Sequence, residues 1–89
     1  MRTTSRTSQF KRDVKRMQKR GRDLDELGTL LRALIQGEVL PDKHRDHLLV
    51  GQHKGTRECH VQPDWLLLYE VSDTELTLIR TGTHADLFE

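Results

Sequence analysis

The hydrophobic pattern of this chain changes period once, and that change limits its fold more than any other feature. Up to residue 36, apolar side chains recur every three or four positions; from residue 57 they fall in short runs of strand length. Phe10, Val14 and Met17 make a narrow stripe on a first helix over residues 8–20, with Ser8 as its expected N-cap. Leu24, Leu27, Leu30, Leu31, Leu34 and Ile35 make a broad face on a second helix over residues 23–36, and Asp23, Asp25 and Glu26 complement its dipole. Gly21 and Gly37 close the two helices, so a short antiparallel helix hairpin is expected. Residues 2–6 are polar and read as a short edge strand or a frayed start. Residues 40–56, interrupted by Pro41, Gly51 and Gly55, read as an irregular connection. Strands are expected over residues 57–62, 65–71 and 76–81, joined by compact turns at Pro63-Asp64 and Ser72-Asp73-Thr74. The class is α+β: a helix hairpin on one face of a small antiparallel sheet, ending in a short C-terminal tail or helical turn.

A chain of 89 residues supports one domain, spanning 1–89, with a single modest core. With 33% charged residues against 34% hydrophobic, most of the surface must be charged. The net charge of +1 conceals an uneven layout: residues 1–22 carry nine Lys/Arg against one acid, and the remainder carries six against thirteen. A basic helix of this kind suits a polyanion or an acidic partner segment, or is simply a solvated face. Cys59 is the only cysteine, so no intrachain disulfide can form. The longest apolar run, Trp65 to Tyr69, is five residues, far too short to span a bilayer, and the basic start does not read as a secretory signal. A cytoplasmic protein is expected.

Chemistry-bearing residues gather in four pieces: Asp46-His47, Lys54-Gly55-Thr56-Arg57-Glu58-Cys59-His60, Pro63-Asp64-Trp65 and Arg80-Thr81-Gly82-Thr83-His84. Imidazoles titrate near neutral pH, so histidines set among carboxylates and cations suit proton transfer beside a phosphate. If Cys59 and Val61 face the helices, strand alternation turns His60 to the open face of the sheet and Arg57 toward the helices. A zinc site is not expected: neighbouring Cys59 and His60 cannot readily share an ion from a regular strand, and His44 and His47 lack the paired motifs of structural zinc. No P-loop, dinucleotide-binding glycine pattern or serine-nucleophile elbow is present.

Taken in order, Asp46-His47, then Lys54-Gly55-x-Arg57-Glu58-x-His60-Val61-x-Pro63-Asp64-Trp65-x-Leu67-x-Tyr69, then Arg80-Thr81-Gly82-Thr83-His84-x-x-Leu87-Phe88 resemble the YafQ branch of the RelE superfamily of toxins. The resemblance covers essentially the whole chain, helix hairpin included. It departs most at the arginine- and threonine-rich start, a poor strand former where the family begins with a strand. It implies the toxin of a type II toxin–antitoxin system, a ribosome-dependent endoribonuclease (mRNA interferase) neutralised by a cognate antitoxin. The expected partners are that antitoxin, the ribosome and mRNA in its decoding site, with no membrane and no cofactor. Matching the family's functional positions are His47, His60, Asp64, Trp65, His84 and Phe88.

Metal-independent cleavage that uses the RNA 2′-hydroxyl needs a base for that hydroxyl, positive charge for the phosphorane, and an acid for the 5′-oxygen. His84 is the expected acid and His60 or Asp64 the base, while His47 orients the substrate or shares in proton transfer. Lys54, Arg57 and Arg80 are available to hold phosphate, and Trp65 and Phe88 to stack on bases. The competing reading is a non-enzymatic RNA- or DNA-binding regulatory module that works through the basic helix.

Overall fold

The computed structural model describes residues 1–49 and 55–89. In chain order the elements are β1 (Thr3–Arg6), α1 (Ser8–Lys19), α2 (Leu24–Ile35), a 3-10 turn (Asp42–His44), β2 (His47–Leu48), β3 (Arg57–Gln62), β4 (Trp65–Val71), β5 (Glu75–Gly82) and α3 (His84–Phe88). The sheet order is β1-β5-β4-β3-β2. The expected meander is present, because β3, β4 and β5 pair antiparallel around the Pro63-Asp64 and Ser72–Thr74 turns. The sheet as a whole is mixed, however, since β1 runs parallel to β5 with Thr3 opposite Glu75 and Arg6 opposite Leu78.

Helix α1 packs on β5 and α2 on β3, and both fill one core. Phe10 and Met17 of α1 and Leu27, Leu30 and Leu34 of α2 meet Cys59, Val61, Trp65, Leu67, Tyr69, Leu76 and Leu78 of the sheet. The helical stripes read from the sequence are therefore the buried faces. The α1 cap differs by one residue from expectation. Thr7, not Ser8, is the N-cap, and its hydroxyl accepts the Phe10 N–H at 2.9 Å. The same hydroxyl donates to the Ile79 carbonyl at 2.7 Å, so one side chain starts the helix and ties it to β5. Gly21 and Gly37 adopt φ of +83° and +78°, as C′ glycines do.

Two elements lie where an irregular connection was expected: the 3-10 turn and the two-residue β2, which pairs with β3 by setting His47 opposite Glu58. Among the described residues no helix is long and apolar enough to cross a membrane.

Candidate active site

Strand register builds the site. Residues paired across neighbouring strands point to the same face, so His47, Glu58, Leu68 and Arg80 form one row across β2, β3, β4 and β5. His60, Leu66 and Gly82 form the adjacent row. Both rows lie on the face away from the helices, because Cys59, Leu67 and Thr81 between them enter the core. Leu66 and Leu68 are a buried apolar floor between the histidines and the start of α3. Two strand spacings separate His60 from Gly82, about 10 Å, and His84 opens α3 two residues beyond.

The histidines are held by main-chain carbonyls. His47 Nδ1 lies 2.6 Å from the Arg45 oxygen and His60 Nδ1 lies 3.2 Å from the Pro63 oxygen. A carbonyl can only accept, so each ring donates through Nδ1–H and leaves Nε2 for chemistry. Both Nε2 atoms turn to one carboxylate oxygen, Glu58 Oε1, at 3.7 and 3.6 Å. Glu58 is thus the hub of the two histidines, with no role assigned to it from sequence. The signal was there: alternation puts it on the His60 face, but only the β2 pairing brings His47 opposite.

His47 is positioned from below. Arg45 takes a left-handed φ of +48°, and Asp46 is gripped by the Tyr69 hydroxyl at 2.5 Å and by Arg57 Nε at 3.3 Å. Burial, then the Asp46 carboxylate, raises the Tyr69 phenol above its ordinary range, so it stays a donor. His44 Nδ1 reaches the His60 carbonyl at 2.6 Å and fastens the 3-10 turn to β3. A groove of about 460 Å³ runs past it, lined by Lys43, His44, His60, Gln62 and Asp64 among others.

Asp64 sits in the β3–β4 turn, where both of its oxygens accept from Arg22, at 3.0 and 2.6 Å. Arg22 also donates to the Gln62 amide oxygen at 2.6 Å. The Arg22 guanidinium holds Asp64 below the usual carboxylate range. That favours an ionised, anchoring Asp64 over one that takes up a proton. Arg22 itself could not be singled out within so basic a segment.

His84 is largely exposed, with its ring 5.0 Å from that of Phe88 and tilted by 44°. These two aromatics stand at the open end of the His60 row. Three other expected site residues point elsewhere. Trp65 has no exposed surface: its indole N–H donates to Thr81 Oγ1 at 2.8 Å, so it is a core residue rather than a stacking platform. Arg57 faces the helix side, as alternation suggested, and is engaged with Asp46. Arg80 is on the open-face row, but its guanidinium is spent on Asp13 of α1 through two bonds of 3.0 Å. Lys54 lies outside the described residues. Cys59 is buried, and burial pushes its thiol far above the ordinary range, so it is no nucleophile. Among the described residues, no three His, Cys, Asp or Glu side chains are spaced to hold a metal ion.

Two helices on one face of a small mixed sheet, with histidines gathered on the other, define an architecture shared with small bacterial toxins. The crystal structure of YafQ from E. coli BL21(DE3) superposes with a TM-score of 0.95 at 42% identity over 100% of both chains. The E. coli DinJ–YafQ toxin–antitoxin complex contains a chain similar at a TM-score of 0.93 and 44% identity, covering 99% of this chain and 98% of that one. The mRNA interferase toxin YafQ of E. coli K12 is 46% identical over 83 residues, 92% of this chain and 90% of that protein. The family described as the bacterial toxin of type II toxin–antitoxin systems, YafQ, matches residues 2–89. The chain belongs to the YafQ toxin family.

Proposed function

We propose that this toxin is an endoribonuclease that cleaves mRNA on the ribosome, stops translation, and is neutralised by a cognate antitoxin protein. The observation that carries the reading is the pair of imidazoles on the open sheet face, each presenting Nε2 to Glu58 with Nδ1–H tied to a carbonyl. The name of the E. coli relative and the DinJ–YafQ complex support the same reading.

The chemistry divides between the two ends of the face. The His47–Glu58–His60 group takes the proton of the RNA 2′-hydroxyl, and the 2′-oxygen attacks the adjacent phosphorus. The carboxylate favours the imidazolium that forms, as an acid partner does in other acid–base sites. His84 donates a proton to the 5′-oxygen as the P–O5′ bond breaks, leaving a 2′,3′-cyclic phosphate and a 5′-hydroxyl. Phe88, beside His84, stacks on a base. Asp64 acts through its Arg22 anchor and fixes the β3–β4 turn that holds His60. No metal is needed, because the substrate supplies its own nucleophile. The basic face of α1 bears on ribosomal RNA or on an acidic antitoxin segment.

The test is cleavage of a defined mRNA, with and without programmed ribosomes and with and without a chelator, by wild type and His84→Ala. Site-specific cuts that need the ribosome, survive chelation and fall by about 10²–10⁴ in the variant are expected. No cuts by folded wild type would favour a non-enzymatic RNA-binding module instead.

A further inference from the structure

Helix α3 carries His84, yet none of its five residues is buried, so apolar packing alone cannot fix it. Polar contacts converge instead on one side chain, Asp86. It completes a capping box: Asp86 Oδ2 accepts the Thr83 N–H at 2.9 Å, and Thr83 Oγ1 accepts the Asp86 N–H at 3.2 Å. Arg20, the C-cap of α1, donates to both Asp86 oxygens, at 2.6 and 3.0 Å. Arg16 Nε, buried and without a hydrogen-bond partner among the described residues, lies 3.9 Å from Asp86 Oδ2. Gly82 makes room for the group, since a Cβ there would sit 2.9 Å from Asp86 Oδ2 and 3.0 Å from Asp86 Cβ. A bidentate guanidinium–carboxylate pair fixes orientation as well as distance.

We propose that Arg20 and Asp86 are positioning residues for His84: a clamp from the end of α1 that sets the angle of α3 and hence the reach of the proposed general acid. Neither needs to touch RNA. The inference rests on the assignment of His84 above, but the clamp has a structural readout of its own. Asp86 is held below the usual carboxylate range, first by the Arg20 bonds and then, against the opposing effect of its partial burial, by the Thr83 bonds, so the clamp is charged at neutral pH.

The experiment compares Arg20→Ala, Asp86→Ala and the double variant by two measurements. The first is the ribosome-dependent cleavage rate at saturating and sub-saturating toxin; the second is hydrogen exchange of the Leu87 and Glu89 amides, which bond to Thr83 and Ala85. Each single variant should lower the saturating rate roughly 10- to 100-fold, because small misplacement of a catalytic group is costly, with half-saturation within about threefold of wild type. The α3 amides should exchange at least about tenfold faster, and the double variant should be no worse than either single one. Unchanged α3 exchange, or losses that multiply in the double variant and appear as weaker half-saturation, would overturn the clamp and make Arg20 an RNA contact. If His84→Ala cleaves normally, the catalytic assignment fails, while faster α3 exchange in the clamp variants still reports a clamp.

Discussion

Asp13 is a carboxylate with no solvent contact in a helix whose other charges are all basic. Arg80 donates to both of its oxygens, Arg16 and Gln9 add bonds to Oδ1, and the Thr81 N–H donates to Oδ2. Burial raises its proton affinity, and these donors more than offset that, so it stays ionised below the usual range. Asp13→Ala would strand two guanidinium groups and a buried N–H. A loss of about 3 kcal/mol is expected, below the largest values for buried pairs because Arg80 and Arg16 keep some contact with water. In a domain of this size, calorimetry should then show Tm falling by more than about 10 °C. Asp64→Ala is the control: its pair with Arg22 is exposed, and its loss should cost under about 1 kcal/mol. The sequence displays Asp13 only as the single acid among nine bases. Nothing local says it is buried: Gln9 and Arg16 are ordinary helical neighbours, and the partners that draw it into the core, Arg80 and Thr81, lie some seventy residues away on β5. Trp65 shows the reverse limit. Its motif was legible, but whether an aromatic at a strand start faces solvent or core depends on the neighbouring strand, here on Thr81.

At the level of elements, what was legible is what local chemistry decides. Helical stripes, C′ glycines and the β3–β4–β5 meander follow from residue spacing within each segment, and the structure keeps them within a residue or two. Elements made by distant pairing were either left open, as the edge strand or frayed start at residues 2–6 was, or hidden, as β2 was. β1 has four exposed residues and no apolar pattern; it is a strand because β5 offers a parallel edge. β2 is two residues long, yet it carries His47 to Glu58. The helix cap falls between these cases. Both Thr7 and Ser8 are acceptable caps by type, and the choice goes to Thr7 because its hydroxyl also reaches Ile79 on β5. Thr7→Ala should therefore cost about 1–2 kcal/mol in urea unfolding, and Ser8→Ala no more than about 0.5. A larger loss at Ser8 than at Thr7 would return the cap to Ser8.

Across the whole molecule, ionisable groups shifted in opposite directions limit stability on the acid and the alkaline side. Asp13 and Asp86 have folded-state pKa values below their unfolded ones. Their contribution is complete above the unfolded value near 4 and is lost as pH falls through that range and below. Cys59 and Tyr69 are shifted upward, chiefly by burial. Each favours the folded state fully below its unfolded pKa, about 8.5 for the thiol and about 10 for the phenol, and progressively less above it. Urea midpoints measured against pH should thus fall on the acid side of about pH 4 and on the alkaline side of about pH 8.5. The alkaline limb should begin near pH 8.5 with a slope approaching about 1.4 kcal/mol per pH unit for each group that titrates only in the unfolded chain. Cys59→Ala separates the two groups. It lowers stability at neutral pH by leaving a small cavity, but it should delay the alkaline fall until tyrosine ionises, near pH 10. An alkaline limb that still begins near pH 8.5 in this variant would show that the buried thiol does not set it.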